Sequence, residues 1–166
     1  LAPLIGSNGI SSRGAMAKIR DVILVVTACV VAAFLAVSSA AAQGKGHRLV
    51  LQVNSDELSV MNLALNNAAN VEQYYKERGE KVEIEIVAFG PGLHMLRDDT
   101  SPVKGRIKAM ADKSPSISFK ACGNTQENMS KFENKQIPLV PQASVVKSGV
   151  VRVMELQEQG WAYVKP

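Results

Sequence analysis

Two side chains in this sequence combine a type suited to nucleophilic chemistry near neutral pH with a place at the end of an extended run. The first is Cys122, in the stretch ISFKACGNTQ (Ile117 to Gln126), where an alternating extended run gives way to a polar run that opens a helix. A thiol at a helix N-terminus lies near unpaired backbone N–H groups and the positive end of the helix dipole, both of which favour thiolate over thiol. Gly123 permits close backbone approach, and Asn124 and Thr125 supply donors able to cap the helix or hold an anion beside the sulfur. The second is His94, which follows Gly90-Pro91-Gly92; the other histidine, His47, opens the first extended run at its opposite end. A Cys122–His94 pair has the make-up of an activated sulfur nucleophile, although the sequence names no third, orienting residue. Structural readings compete with both. Free cysteine is among the most buried residue types, and a histidine flanked by Leu93, Met95 and Leu96 is equally suited to packing or to the surface.

How unusual Cys122 is depends on which residues belong to the mature protein. Val22 to Val37 (VILVVTACVVAAFLAV) is almost purely apolar, follows the basic stretch Met16-Ala-Lys-Ile-Arg20, and precedes small residues with an A-x-A site at Ala40 and Ala42. That is the pattern of a secretory signal peptide, and the run is short for a membrane span, which needs about 20 residues. The expectation is a leader over residues 16–42 with cleavage near Ala42, an upstream extension over 1–15 outside the fold, and one domain over 43–166. The product would be periplasmic or secreted, with no membrane attachment once cleaved. Removing residues 1–42 takes away Arg13, Lys18, Arg20 and Asp21, so the formal net charge falls from +4 to +2. A nearly neutral domain lacks the clustered basic face of a nucleic-acid binder. Cys29 leaves with the leader, and Cys122 remains as a lone thiol with no disulfide partner in its own chain.

The elements that position these residues follow from periodicity. His47–Val53 is β-branched and aliphatic, and Asn54-Ser55-Asp56 reads as the cap of a helix striped by Leu58, Met61, Leu65, Ala68, Val71 and Tyr75 and stopped at Gly79. Val82–Phe89 is a second strand, cut off by Gly90-Pro91-Gly92. A short turn at 93–96, a helix over 103–112, a strand over 116–121 and a polar helix to about Phe132 come next. An irregular strand is expected over 139–145, edged by prolines, then a helix from Val146 to Gly160 striped by Val146, Val150, Val153 and Leu156, and a closing strand over 161–164. Strands alternating with helices imply βαβ crossovers, hence an α/β fold: three layers, with a mostly parallel five-stranded sheet and helices on both faces. In such sheets ligands collect at the carboxyl ends of the strands, which groups Asn54, the glycine loop with Gly92 and His94, and Cys122-Gly123-Asn124-Thr125. Ser118 and Lys120 make one side of the third strand more polar than a buried central strand requires, consistent with either a partly solvated face or a subunit contact.

The segments HRLVLQVNSDE, VEIEIVAFGPGLHML, ISFKACGNTQENM and SGVVRVMELQEQGWAYVKP, in this order, resemble the exported or uncharacterised branch of the DsrE/DsrF-like proteins, over nearly all of residues 47–166. The resemblance implies a parallel, flavodoxin-like α/β arrangement, association into homotrimers or hexamers, and sulfur carried as a persulfide on the strand-end cysteine, here Cys122. It implies a sulfur donor and acceptor whose identity it leaves open; no cofactor is expected.

Two functions remain after this reading. One is an exported sulfur carrier, of sulfurtransferase type, in which Cys122, with His94, accepts sulfane sulfur beside Asn54, Gly92, Gly123, Asn124 and Thr125. The other is a non-catalytic oligomeric module holding a small anion or metabolite in the strand-end crevice. A flavin-type carrier is disfavoured because Asp56 and Glu57 would repel a phosphate at the first loop. No CxxC, paired-cysteine zinc pattern or HExxH motif occurs, so no metal is expected.

Overall fold

The computed structural model describes residues 46–166; the expected leader and upstream extension lie outside the described residues. Five strands run in chain order as β1 (His47–Val53), β2 (Val82–Ala88), β3 (Ile117–Cys122), β4 (Ala143–Val146) and β5 (Ala162–Val164). Helices α1 (Leu58–Glu77), α2 (Lys104–Lys113), α3 (Gly123–Glu133) and α4 (Gly149–Glu158) alternate with them, and a 3₁₀ helix spans Gly90–Leu96. The sheet order is β4-β3-β2-β1-β5, and every pairing is parallel. The fold is α/β, with helices packing on an all-parallel sheet. Among the described residues no helix is long and apolar enough to cross a membrane.

The strand order explains which face each helix covers. From β1 to β4 the chain steps outward one strand at a time, and right-handed crossovers keep the connecting helices on one face. There Leu49, Leu51, Val53, Ile84, Ile86, Ile117 and Phe119 pack against Met61, Leu65 and Ala68 of α1 and Ile107 of α2, with Met129 of α3 alongside. Each of the fully buried large side chains in this cluster contributes about 1.5–3 kcal/mol. The last crossover returns across the sheet to β5, so α4 lies on the opposite face. Its Val153 and Leu156 meet Val50 and Val87, with Phe89 and Trp161 alongside. This second core is small, because much of the α4 side of the sheet is polar: Glu85 is buried there in an ion pair with Arg152, and Ser118 and Lys120 are only partly buried.

Three boundaries differ from expectation, each for a local reason. The first helix begins at Leu58 with Glu57 as its N-cap residue, because Ser55 spends its hydroxyl accepting the Glu57 N–H in a short turn. The fourth strand is Ala143–Val146; Pro138 and Pro141 bring no N–H to a ladder, and Leu139 instead bridges antiparallel to Arg97. Val146 pairs with Cys122 inside the sheet, so the last helix starts at Gly149. Its apolar stripe is accordingly narrower than the valine spacing implied: Val153 and Leu156 are buried, while Val150 is 52% exposed.

Candidate functional site

Because the connection after β3 passes to one face and the connection after β4 to the other, a crevice opens between the carboxyl ends of these two neighbours. Cys122 is the last residue of β3 and the N-cap residue of α3. Along β3, Ile117, Phe119 and Ala121 join the larger apolar cluster, and strand alternation turns Cys122 with Ser118 and Lys120 to the α4 side. The thiol therefore belongs to neither apolar cluster. It is 4% exposed. Its strand neighbour on β4 is Val146.

Four strand-end loops are linked in series from this corner. Asn124 N–H donates to the carbonyl of Lys147 at 3.1 Å, fastening the start of α3 to the β4–α4 loop. Gly123 permits this approach, since a Cβ there would lie 3.1 Å from Val145 Cγ1 and 3.2 Å from the Val146 carbonyl oxygen. From β2, Gly90 N–H donates to Thr125 Oγ1 at 3.0 Å. Gly92 in turn presses on the end of β1: a Cβ built on it would stand 2.2 Å from the Val53 carbonyl oxygen and 2.8 Å from Asn54 Cα. From α4, Gly149 seats against Phe89, with a Cβ there falling 2.8 Å from the ring's Cδ1. Each glycine lets one strand-end loop close onto the next.

The electrostatics at the sulfur follow from these contacts. Burial pushes the Cys122 thiol up, but the Thr125 hydroxyl and the backbone N–H groups at the starts of α3 and α4, that of Gly149 foremost among the amides, favour the thiolate and outweigh that cost, leaving the thiol below its ordinary value. The Thr125 hydroxyl accepts from Gly90, so its own hydrogen is available to donate to the sulfur. Two helix N-termini, those of α3 and α4, thus converge on one atom.

Next to Val146, the strand partner of Cys122, lies a cleft of about 600 Å³ lined by Asn124, Val146, Lys147, Ser148, Val151, Arg152 and Glu155. Its polar groups are two cations, an amide, a hydroxyl and one carboxylate. Arg152 is engaged with Glu85, donating from Nε and Nη2 at 2.9 and 2.6 Å. Among the described residues no cluster of three or more His, Cys, Asp or Glu side chains could hold a metal ion.

Comparison with solved structures finds MTH1491 of Methanobacterium thermoautotrophicum, a protein of unknown function, with a TM-score of 0.62 and 30% identity over 72% of this chain and 99% of that one. The chain belongs to the family of MTH1491, whose fold is DsrE/DsrF-like. No family model matches it, and no curated protein does. The matched share is about the length of the domain described here, so the likeness to MTH1491 is one of whole domain to whole chain.

Within this MTH1491-like domain the residues picked out from sequence take the following places. Cys122, Gly123, Asn124 and Thr125 form the β3–α3 corner, and Gly92 and Asn54 are in contact where the β1 and β2 loops meet. His94 lies in the 3₁₀ helix with its Nδ1 3.4 Å from Thr100 Oγ1, and the groups that donate to the sulfur are the Thr125 hydroxyl and backbone amides. The β4–α4 loop, with Val146, Lys147, Ser148 and Gly149, was missed as part of the site. Its signal is present in the sequence: Lys147-Ser148-Gly149 is a serine cap followed by a small residue before an apolar stripe. Reading the helix from Val146 concealed it.

Proposed function

We propose that this protein is an exported, homo-oligomeric sulfur carrier of the DsrE-like kind, taking up sulfane sulfur as a persulfide on Cys122. The observation that carries the reading is the convergence of two helix N-termini and the Thr125 hydroxyl on a thiol held below its ordinary pKa at the strand-end crevice. The family relation to a protein with a DsrE/DsrF-like fold supports it. In the reaction the Cys122 thiolate attacks the terminal sulfur of a donor persulfide or polysulfide, the new S–S bond forms as the donor's S–S bond breaks, and the bonding pair leaves with the donor thiolate. The product, a cysteine persulfide, is itself an anion, so the donors that favour the thiolate favour the loaded state as well. Gly149, Asn124 and Thr125 would hold it, and His94 would act from the neighbouring loop.

The test is mass spectrometry of folded protein after incubation with inorganic polysulfide. A gain of about 32 Da, one sulfur atom, is expected on Cys122, removable by a thiol reductant and absent in Cys122→Ser. Folded wild-type protein that takes up no sulfur would end the proposal.

A second reading rests on the cleft and on the 4% exposure of Cys122: a binding module in which Asn124, Lys147 and Ser148 hold a small anion and the cysteine is part of the wall. Retained ligand binding in Cys122→Ser would favour this module over the carrier.

A further inference from the structure

The helix that brings Gly149 to the sulfur has little apolar area with which to hold itself there. On its face of the sheet α4 contributes Val153 and Leu156 to a buried cluster of four residues, whereas Val150, Val151 and Met154 are exposed. What replaces apolar packing is one ion pair. Glu85 projects from the middle of β2, is 7% exposed, and accepts both Nε and Nη2 of Arg152. Arg152 belongs to the first turn of α4, and its backbone N–H donates to the Ser148 carbonyl at 3.0 Å, closing the turn that begins at Gly149. A two-point fork between a helix's first turn and the sheet beneath fixes rotation as well as distance.

We propose that Arg152, anchored by Glu85, is a positioning residue that seats the first turn of α4 so that Gly149 N–H faces the Cys122 sulfur. The inference rests on the reading of Cys122 as the working atom, and it concerns the thiol rather than the identity of any donor. Direct electrostatics is the competing account, because Arg152 is a cation lining the cleft next to Val146. Other charges face the same region: Lys120 on the Cys122 side of β3, Lys147 on the β4–α4 loop, and Glu155 one turn along α4. Glu85 stands in register with Ser118, four residues before Cys122, and therefore about 13 Å from it along the sheet at about 3.3 Å per residue. At that range, with its charge compensated by Arg152, the pair acts on the sulfur mainly through where it holds the helix.

The two accounts predict opposite signs for one substitution. Glu85→Gln removes the anion and leaves the Arg152 cation uncompensated. If charge alone matters, the thiolate becomes easier to form; if position matters, the N–H withdraws and the thiolate becomes harder to form. The experiment is a pH titration of Cys122 thiolate absorbance near 240 nm, together with the pH profile of its alkylation, in the full chain as wild type, Glu85→Gln, Arg152→Lys and the double variant. Loss of one donor to a charged acceptor is expected to move the midpoint up by about one pH unit, a tenfold fall in thiolate below the midpoint. Arg152→Lys keeps the charge and gives up the fork, so it should move the same way, and the double variant should move no further than the larger single. A midpoint that falls in Glu85→Gln, stays put in both single variants, or shifts additively in the double overturns the proposal. Should Glu85→Gln not fold, the Arg152→Lys profile decides alone. Wild-type protein that titrates low but takes up no sulfur from polysulfide would remove the carrier reading while leaving this one intact.

Discussion

Replacing Thr125 by valine tests the polar surroundings of Cys122 most directly, because valine keeps the shape of the side chain and deletes only its hydroxyl. That hydroxyl has two duties: it accepts Gly90 N–H at 3.0 Å, and its hydrogen is directed to the Cys122 sulfur. A hydrogen bond to a charged group is worth about 1.5–3 kcal/mol. The backbone N–H groups of Gly149 and Thr125 still favour the thiolate and take up part of the loss, so the lower end applies, and at about 1.4 kcal/mol per pKa unit the thiolate midpoint should rise by about one unit. The second duty has its own cost. Stranding a partly buried amide such as that of Gly90 costs about 1–3 kcal/mol, and water can reach this half-buried loop, so about 1 kcal/mol of global stability should be lost. Thiolate absorbance against pH reads the first effect and urea unfolding reads the second, with Thr125→Ser as the control that retains both. A folded Thr125→Val protein whose thiol titrates like wild type, however much stability it loses, would show that the hydroxyl ties loops together without acting on the sulfur.

Three further outcomes follow from the same geometry. Since the native thiol pKa lies below its ordinary value, the thiolate's contribution to stability is fully present above that ordinary value and is lost as pH falls through the native one; urea unfolding from pH 6 to 9 should show wild type gaining on Cys122→Ser as pH rises. At the other end of the 3₁₀ helix, buried Arg97 holds the carboxyls of Asp99 and Glu133 well below the usual carboxylate range, so stability present above about pH 4 should fall as pH drops toward their native values, and Arg97→Met should flatten that acid limb. Gly92→Ala drives a Cβ to 2.2 Å from the Val53 carbonyl oxygen, an overlap with backbone that a rotamer change cannot relieve, and denaturant unfolding should show a loss of about 3 kcal/mol.

The order of strands and helices was legible because it rests on strong local signals: β-branched runs in β1 and β2, a long helical stripe ending at a positive-φ glycine, Gly79. The grouping of three loops at the carboxyl ends followed from parallel topology alone, and Asn54–Gly92 and Gly90–Thr125 do touch. What periodicity could not give was the side of the sheet on which α4 lies, because that depends on strand order, which no local pattern encodes. Without it, Cys122 could be placed at a strand end but not between two helices, and Val150 was assigned to a core that exists only for Val153 and Leu156. The Glu85–Arg152 pair was equally hidden. In sequence Glu85 reads as the polar position of an alternating strand, and only a helix arriving 67 residues later turns it into a buried anchor.

Burial does not by itself decide what a cysteine does; the atoms that bury it do. At 4% exposure Cys122 would be inert among aliphatic carbons, where the thiolate has no solvation to replace water. Here amide hydrogens at two helix starts and a hydroxyl that itself accepts from Gly90 favour the thiolate, so fixed dipoles replace part of the lost water. The same enclosure restricts what can approach. With 4% of the residue exposed, a small reagent can reach the sulfur more readily than a bulky one. Alkylation of native Cys122 should therefore fall steeply with reagent bulk while remaining dependent on pH, and a rate indifferent to reagent size would place the thiol on an open surface instead.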